Sequence, residues 1–123
     1  MSSWSPEHAD TIGAAEEIRL APLRPDGTAH TPVTMWVVRV DERLFIRSAY
    51  GRSGSWFGQV TKTRQALLHV GGSEYAVEVR EPGHDFDTAI DEGYRTKYRG
   101  QTSSVDAMVA AGAQEATLEL LPR

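Results

Sequence analysis

Cysteine is absent from this 123-residue chain, which at once excludes disulfide frameworks, zinc ribbons and thiol catalysis. Basic charge is also scarce. Thirteen lysines and arginines face 17 acidic residues, a formal net charge of −4, so general binding to nucleic acid is disfavoured. No apolar run approaches the ~20 residues that a membrane-spanning helix needs. The opening Met1-Ser2-Ser3-Trp4-Ser5-Pro6-Glu7 lacks the basic and apolar regions of a signal peptide. Internal repeats and low-complexity tracts are missing too. What is there is ordinary: 40% hydrophobic residues, enough for one self-supporting core. The expectation is a cytoplasmic protein with a single domain over 1–123, without membrane or nucleic-acid partners.

Ser5-Pro6-Glu7 reads as a helix start, with a capping hydroxyl, proline in the first turn and an acid near the positive end. That helix should end near Gly13. Glu17 to Ala21 alternates as a strand does, and Pro25-Asp26-Gly27 is a turn signal. The segment Val33 to Val40 is rich in β-branched residues and apolar on both faces, which predicts one central strand. Asp41-Glu42 turns it into Leu44–Ser48. A small, flexible stretch from Tyr50 to Ser55 leads into a short helix over Trp56–Val60. A second hairpin pairs Ala66–Val70 with Tyr75–Val79 across Gly71-Gly72, with Tyr75, Val77 and Val79 facing inward beside Leu44 and Ile46. Phe86, Ile90, Tyr94 and Tyr98 form a helical stripe, a further short helix covers Val105–Ala110, and Ala116–Leu120 is the last strand. About six strands joined mainly by hairpins, with flanking short helices, make an α+β fold built on a small antiparallel barrel.

Most catalytic signatures are missing. His8, His30, His69 and His84 lack the spacing of a helical metal motif, so no metal site is expected. No Gly-x-x-x-x-Gly-Lys occurs, and Gly51-Arg52-Ser53-Gly54-Ser55 lacks the spacing of a nucleophile elbow. No catalytic residue is identified. The segment Arg47 to Trp56 carries more information, because it leaves a strand and enters a helix with two arginines, several serines and two glycines. Helix-terminal amides, hydroxyls and guanidinium groups together suit an anion. The same residues also suit a plain strand-to-helix connection in which Ser53 or Ser55 caps the helix. Tyr94 and Tyr98 are first a core face, though their hydroxyls could line a pocket mouth. Trp36 reads as core, and Trp4 as a staple or a lid over a pocket.

From Trp36-Val37-Val38-Arg39-Val40 through Ser48–Gly54, Ser55-Trp56-Phe57 and Val77-Glu78-Val79-Arg80, the chain resembles the flavin- and deazaflavin-binding split-barrel superfamily. That superfamily includes pyridoxamine-phosphate oxidase-like proteins and deazaflavin-dependent nitroreductases. The opening tryptophan, Ile18-Arg19-Leu20-Ala21-Pro22-Leu23-Arg24 and the Ala89–Tyr98 helix resemble, more closely, an uncharacterised bacterial family within it. The resemblance implies a small antiparallel split β-barrel, a homodimer, and FMN or a deazaflavin at the dimer interface. It implies a phosphate site at Thr34, Arg47, Ser48, Arg52 and Ser53, with Ser55 and Trp56 alongside. Deazaflavin enzymes usually carry a basic turn in the first hairpin; here Pro25-Asp26-Gly27 holds an acid, leaving Arg24 and His30 as nearby cations. Two readings follow. One is a flavin- or deazaflavin-dependent oxidoreductase acting on a small organic substrate, with Trp4, Trp36, Tyr94 and Tyr98 as candidate pocket walls. The other is a cofactor-free split barrel that binds a small aromatic or apolar ligand, as a binding module or a cyclase- or isomerase-type catalyst.

Overall fold

The computed structural model describes residues 3–123; Met1 and Ser2, the first residues of the opening segment, lie outside them. In chain order the elements are α1 (Pro6–Ala14), β1 (Ile18–Pro22), β2 (Val33–Met35), β3 (Val38–Val40), β4 (Arg43–Arg47), α2 (Ser55–Thr63), β5 (Gln65–Val70) and β6 (Ser73–Arg80). They continue with α3 (Asp87–Lys97), α4 (Thr102–Val109), α5 (Ala111–Gln114) and β7 (Thr117–Pro122). A single 3₁₀ turn, Gly51–Ser53, precedes α2. All pairings are antiparallel, in the order β2-β1-β5-β6-β7-β4-β3. The fold is therefore the α+β split barrel that the sequence predicts, with seven strands among the described residues. No helix among them is long and apolar enough to cross a membrane.

The strand expected over Val33–Val40 is not central and is not one strand. It breaks at Trp36-Val37 into β2 and β3, which form the two opposite edges of the sheet. Two consecutive edge strands separated by two residues bring those edges together, and this curls the sheet. The break is stable because α3 supplies what a neighbouring strand would. The Val37 N–H donates to the Tyr98 hydroxyl at 3.3 Å, and the Val37 carbonyl accepts from Lys97 Nζ at 2.7 Å. The Trp36 ring leaves the ladder and stacks on Tyr98, with centroids 3.8 Å apart. Apolar side chains on both faces thus reflect covering by helices as well as by the barrel interior.

Alternation sorts the strands into two cores. Leu44 and Ile46 on β4 face the interior with Leu20, Leu68, Val77, Val79, Leu118 and Leu120, closed by Ile12 of α1 and by Phe57 and Val60 of α2. Tyr75 packs on the same core, so the inward alternation expected for β6 holds. Phe45, one residue out of phase, joins Val38, Ile90, Tyr94, Tyr98, Val105 and Met108 in a second core under α3 and α4. Ser5 caps α1 as its sequence position predicts, accepting from the His8 N–H at 3.1 Å. The Gly71-Gly72 hairpin also forms, with Gly71 at φ 58°.

On the outer face of β7, Glu119 is 3% exposed and receives both Arg43, at 2.8 and 2.9 Å, and Arg80, at 2.8 Å. Burial pushes this carboxyl up, but the hydrogen bonds from Arg43 and Arg80 outweigh it and hold it below the usual carboxylate range. Two expectations follow. A depressed folded pKa contributes stability above the ordinary value of 4.5 that is lost as pH falls through the lower folded value. Acid titration of unfolding should therefore show a larger low-pH loss in wild type than in Glu119→Gln. A Cβ built on Gly93 lies 2.2 Å from Val38 Cγ1, so Gly93→Ala overpacks the α3–β3 contact. It should destabilise by about 1–3 kcal/mol, read as a lower urea midpoint at unchanged slope.

Candidate functional site

Between the β1–β2 edge and the start of α2 lies a groove of two chambers. The first, about 450 Å³, is lined by Val33, Met35, Trp36, Trp56 and Met108, with Thr34, Arg47, Ser104 and Glu17 at its margins. It is largely apolar and has two indole rings in its wall. The second, about 420 Å³, is the more polar of the two: Arg24, His30, Thr31, Ser55 and Gln59 line it together with Pro32 and Gly54. Val33, Tyr50 and Trp56 border both chambers, so the two are continuous. Tyr50 is 85% exposed at their junction.

The polar chamber holds the positive end of α2. Gly54 is the cap residue, with no side-chain hydrogen bond to the helix and no acid in the first turn. The first amides of a nine-residue helix are therefore left for a ligand or water. A Cβ at Gly54 would stand 2.5 Å from Ser48 Oγ, so any larger residue there displaces that buried hydroxyl. Arg24 reaches the chamber from the end of β1. Its Nη1 donates to Ala29 O at 2.9 Å and Thr28 Oγ1 at 3.2 Å, which orients the guanidinium and leaves its other nitrogens unpartnered among the described residues. In the same turn, hydrogen bonds from the Thr28 hydroxyl and amide hold the Asp26 carboxyl below its usual range.

The residues expected to hold an anion separate into two groups. Thr34, Arg47 and Trp56 border the apolar chamber, and Ser55 and Trp56 the polar one. Arg47, however, is buried and engaged: Nη1 meets Asp91 Oδ1 at 2.5 Å and the Met108 carbonyl at 3.0 Å, and Nε donates to Thr117 Oγ1 at 3.0 Å. Gln114 holds the other Asp91 oxygen at 2.9 Å. Ser48 is buried behind Gly54 with its hydroxyl unpartnered, and Ser53 donates to the Tyr50 carbonyl at 3.2 Å. Arg52 lies outside the groove, pairing with Glu81 at 2.5 Å and the Glu115 carbonyl at 3.0 Å. The Arg52 hydrogen bond holds the Glu81 carboxyl below its usual range.

Of the aromatic residues expected as pocket walls, the groove contains Trp36. Trp4 is buried across the barrel, its Nε1 donating to the Leu120 carbonyl at 2.8 Å and its ring edge-on to Tyr75. Tyr94 is fully buried in the second core, where desolvation pushes its hydroxyl well up. Tyr98 stacks beneath Trp36 and donates to the Glu16 carbonyl at 2.7 Å; burial pushes its hydroxyl up to about 12. Sequence reasoning missed Met35, Tyr50 and Met108 as groove residues. The exposed Tyr50 sits in the segment already singled out, but only the packing of α4 brings Met108 there.

The bacterial family described as "Uncharacterized protein conserved in bacteria" matches residues 8–120. No curated protein matches the chain. Solved structures share the fold. An FAD-binding protein from Mesorhizobium loti superposes with TM-score 0.65 at 13% identity, covering 100% of this chain and 92% of that one. HutZ, the heme storage protein from Vibrio cholerae, gives TM-score 0.65 at 10% identity, covering 97% and 89%. An F420 reductase gives TM-score 0.59 at 15% identity, covering 93% and 90%.

The two loop arginines differ in what they hold. Arg47→Met leaves the part-buried Asp91 carboxylate opposite no cation and should cost about 3 kcal/mol. Arg52→Ala removes a largely exposed pair and should cost less than about 1 kcal/mol. Urea unfolding of both variants checks this; equal losses would mean that Arg47 is not the buried strut of this region.

Proposed function

The chain belongs to the DUF2255 family of bacterial proteins, and we propose that it binds FMN or a deazaflavin in the two-chambered groove and acts as an oxidoreductase on a small organic substrate. One observation carries the reading: an apolar, indole-walled chamber runs directly into a chamber that combines free helix amides with an arginine hydrogen-bonded to no carboxylate among the described residues. A flat aromatic ring system joined to a phosphate has the same division between apolar and anionic parts. The likeness to flavin- and deazaflavin-binding split barrels supports the same reading at the level of fold.

The residues present fit such a group. Trp36 and Trp56 offer faces for the ring, and Tyr98, stacked behind Trp36, stiffens that wall. The amides at Ser55 and beyond, with Arg24 and the Ser55 hydroxyl, would hold the phosphate. Arg24 takes the role for which Arg47 and Arg52 are otherwise engaged by carboxylates. Thr34, at the exposed β2 edge, and Ser104 supply hydroxyls beside the ring chamber. When bound, such a group supplies hydride transfer to or from carbon. The chain's own part is to orient the ring, exclude water with Met35 and Met108, and leave the open side for substrate. A second copy of the chain, seated over Tyr50, would close that side.

Titration of the purified protein with FMN and with a deazaflavin, followed by ligand fluorescence, tests the reading. At least one should bind. Arg24→Gln should weaken it about tenfold or more, the value of a charge-assisted hydrogen bond at ~1.4 kcal/mol per factor of ten. Arg52→Ala should leave it unchanged. If neither cofactor binds wild type, the proposal fails and the cofactor-free barrel takes its place. If Arg52→Ala releases the ligand and Arg24→Gln does not, the phosphate lies elsewhere.

A further inference from the structure

The two ends of the groove differ in charge. Val33, Tyr50 and Trp56 border both chambers, whereas Glu17, Trp36, Ser104 and Met108 border the apolar one alone. These four therefore mark the end away from Arg24 and the α2 amides. Glu17 immediately precedes Ile18 of β1, Trp36 immediately follows Met35 of β2, and Ile18 pairs with Met35. Carboxylate and indole thus stand one step beyond the same ladder pair, on adjacent chain segments that meet at this end of the chamber.

Glu17 is exposed, and no hydrogen bond or ion pair among the described residues engages its carboxylate. Arg47 is the one other charged residue in the lining, and Asp91 at 2.5 Å and Asp87 at 3.7 Å already hold it. Two further cations lie nearby but outside the lining. Lys97 is held by the Gly13 and Val37 carbonyls, and Arg19, two residues along β1, does not pair with Glu17. The chamber is therefore an apolar space with indole walls whose uncompensated charge is negative. Such a space disfavours an anion and matches a cation with an apolar body, since the face of an indole also attracts positive charge. Tyr98, stacked 3.8 Å behind Trp36, holds that face in place.

We propose that the Glu17–Trp36 end of the groove is its substrate site and selects an organic cation, an alkyl- or arylammonium whose charge is held by Glu17 beside the Trp36 ring. The assignment names the substrate class of the site described above and rests on that reading of the groove. A cofactor's phosphate takes the polar chamber, its ring the indole-walled middle, and the cation the far margin. Met35 and Met108 supply soft apolar surface for the body of the substrate. Opposite charge at the two ends fixes the order of the two ligands, because an anionic group is drawn to the α2 amides and repelled at Glu17.

The probe is benzyltrimethylammonium, a permanent cation with an apolar body, beside benzyl alcohol and benzoate as neutral and anionic counterparts. Each is titrated calorimetrically into the intact protein, alone and saturated with FMN or a deazaflavin. The cation should bind about tenfold tighter than benzyl alcohol, the combined effect of a cation–π contact and a solvated ion pair, and benzoate should bind weakest. Glu17→Gln should weaken the cation about threefold or more and leave benzyl alcohol unchanged. Glu16→Gln removes the same charge one residue away, outside both chambers, and should change neither. Equal binding of the three probes, equal losses in the two variants, or displacement of the cation by the cofactor would overturn the proposal. Cation selectivity that depends on Glu17 in a protein that binds neither cofactor supports the cation site and overturns the cofactor reading. Cofactor binding without that selectivity does the reverse.

Discussion

The backbone of Val37 has no strand partner on either side, and the architecture depends on how its two polar groups are satisfied. A buried, unpaired N–H and C=O would cost free energy comparable to two lost hydrogen bonds. Here Tyr98 accepts from one and Lys97 donates to the other, both from the end of α3. The segment can therefore leave one sheet edge and join the opposite edge two residues later. Gly93 fits the same constraint, since the absence of its side chain lets α3 approach Val38 closely enough for these bonds to form. The curl of the sheet, the seating of α3 and the position of Trp36 in the groove are consequences of one satisfied break.

Electrostatics then divides the arginines by role. Arg47 lies where β4 passes beneath α3, and Asp91 and Asp87 come to it from that helix. A buried cation held by carboxylates and a carbonyl locks the second core to the barrel, but its charge is already compensated. Arg52 and Glu81 similarly tie the loop before α2 to the end of β6. Arg24, in contrast, is oriented by a hydroxyl and a carbonyl, with the Asp26 carboxylate near it but not hydrogen-bonded to it. The donors left free in the groove are therefore those of Arg24 and the α2 amides, although the sequence has more arginine near position 50.

Much of the fold was legible because alternation and capping are local. Tyr75, Val77 and Val79 face inward as their spacing predicts, Ser5 caps α1, and Gly71 turns the β5–β6 hairpin. The Val33–Val40 segment misled for a physical reason. Side chains apolar on both faces are equally consistent with a central strand and with two edge strands covered by a barrel interior and a helix. Within the candidate site, the stretch from Arg47 to Trp56 was visible as chemistry-bearing, and Ser55 and Trp56 do border the groove. Which arginine remains unpaired was not visible, because Asp87, Asp91 and Glu81 are 29 or more residues away from the arginines they engage. Met108 was hidden for the same reason, since its place in the groove depends wholly on how α4 packs.

The break and the groove also share parts. Trp36 walls the apolar chamber with one side of its ring and rests on Tyr98 with the other. The hydroxyl of Tyr98 is in turn fixed by the Val37 amide and the Glu16 carbonyl. Any change that releases Tyr98, or the neighbouring Lys97 bond to Val37, removes the support behind that wall while leaving every groove residue in the sequence. Because rings held between two packed surfaces lose little further freedom when a ligand stacks on them, this support lowers the ordering cost of binding. The element that closes the sheet is thus also the one that stiffens the Trp36 wall of the apolar chamber, and stability and the proposed binding should respond together to changes at the end of α3 but separately to changes at Arg24.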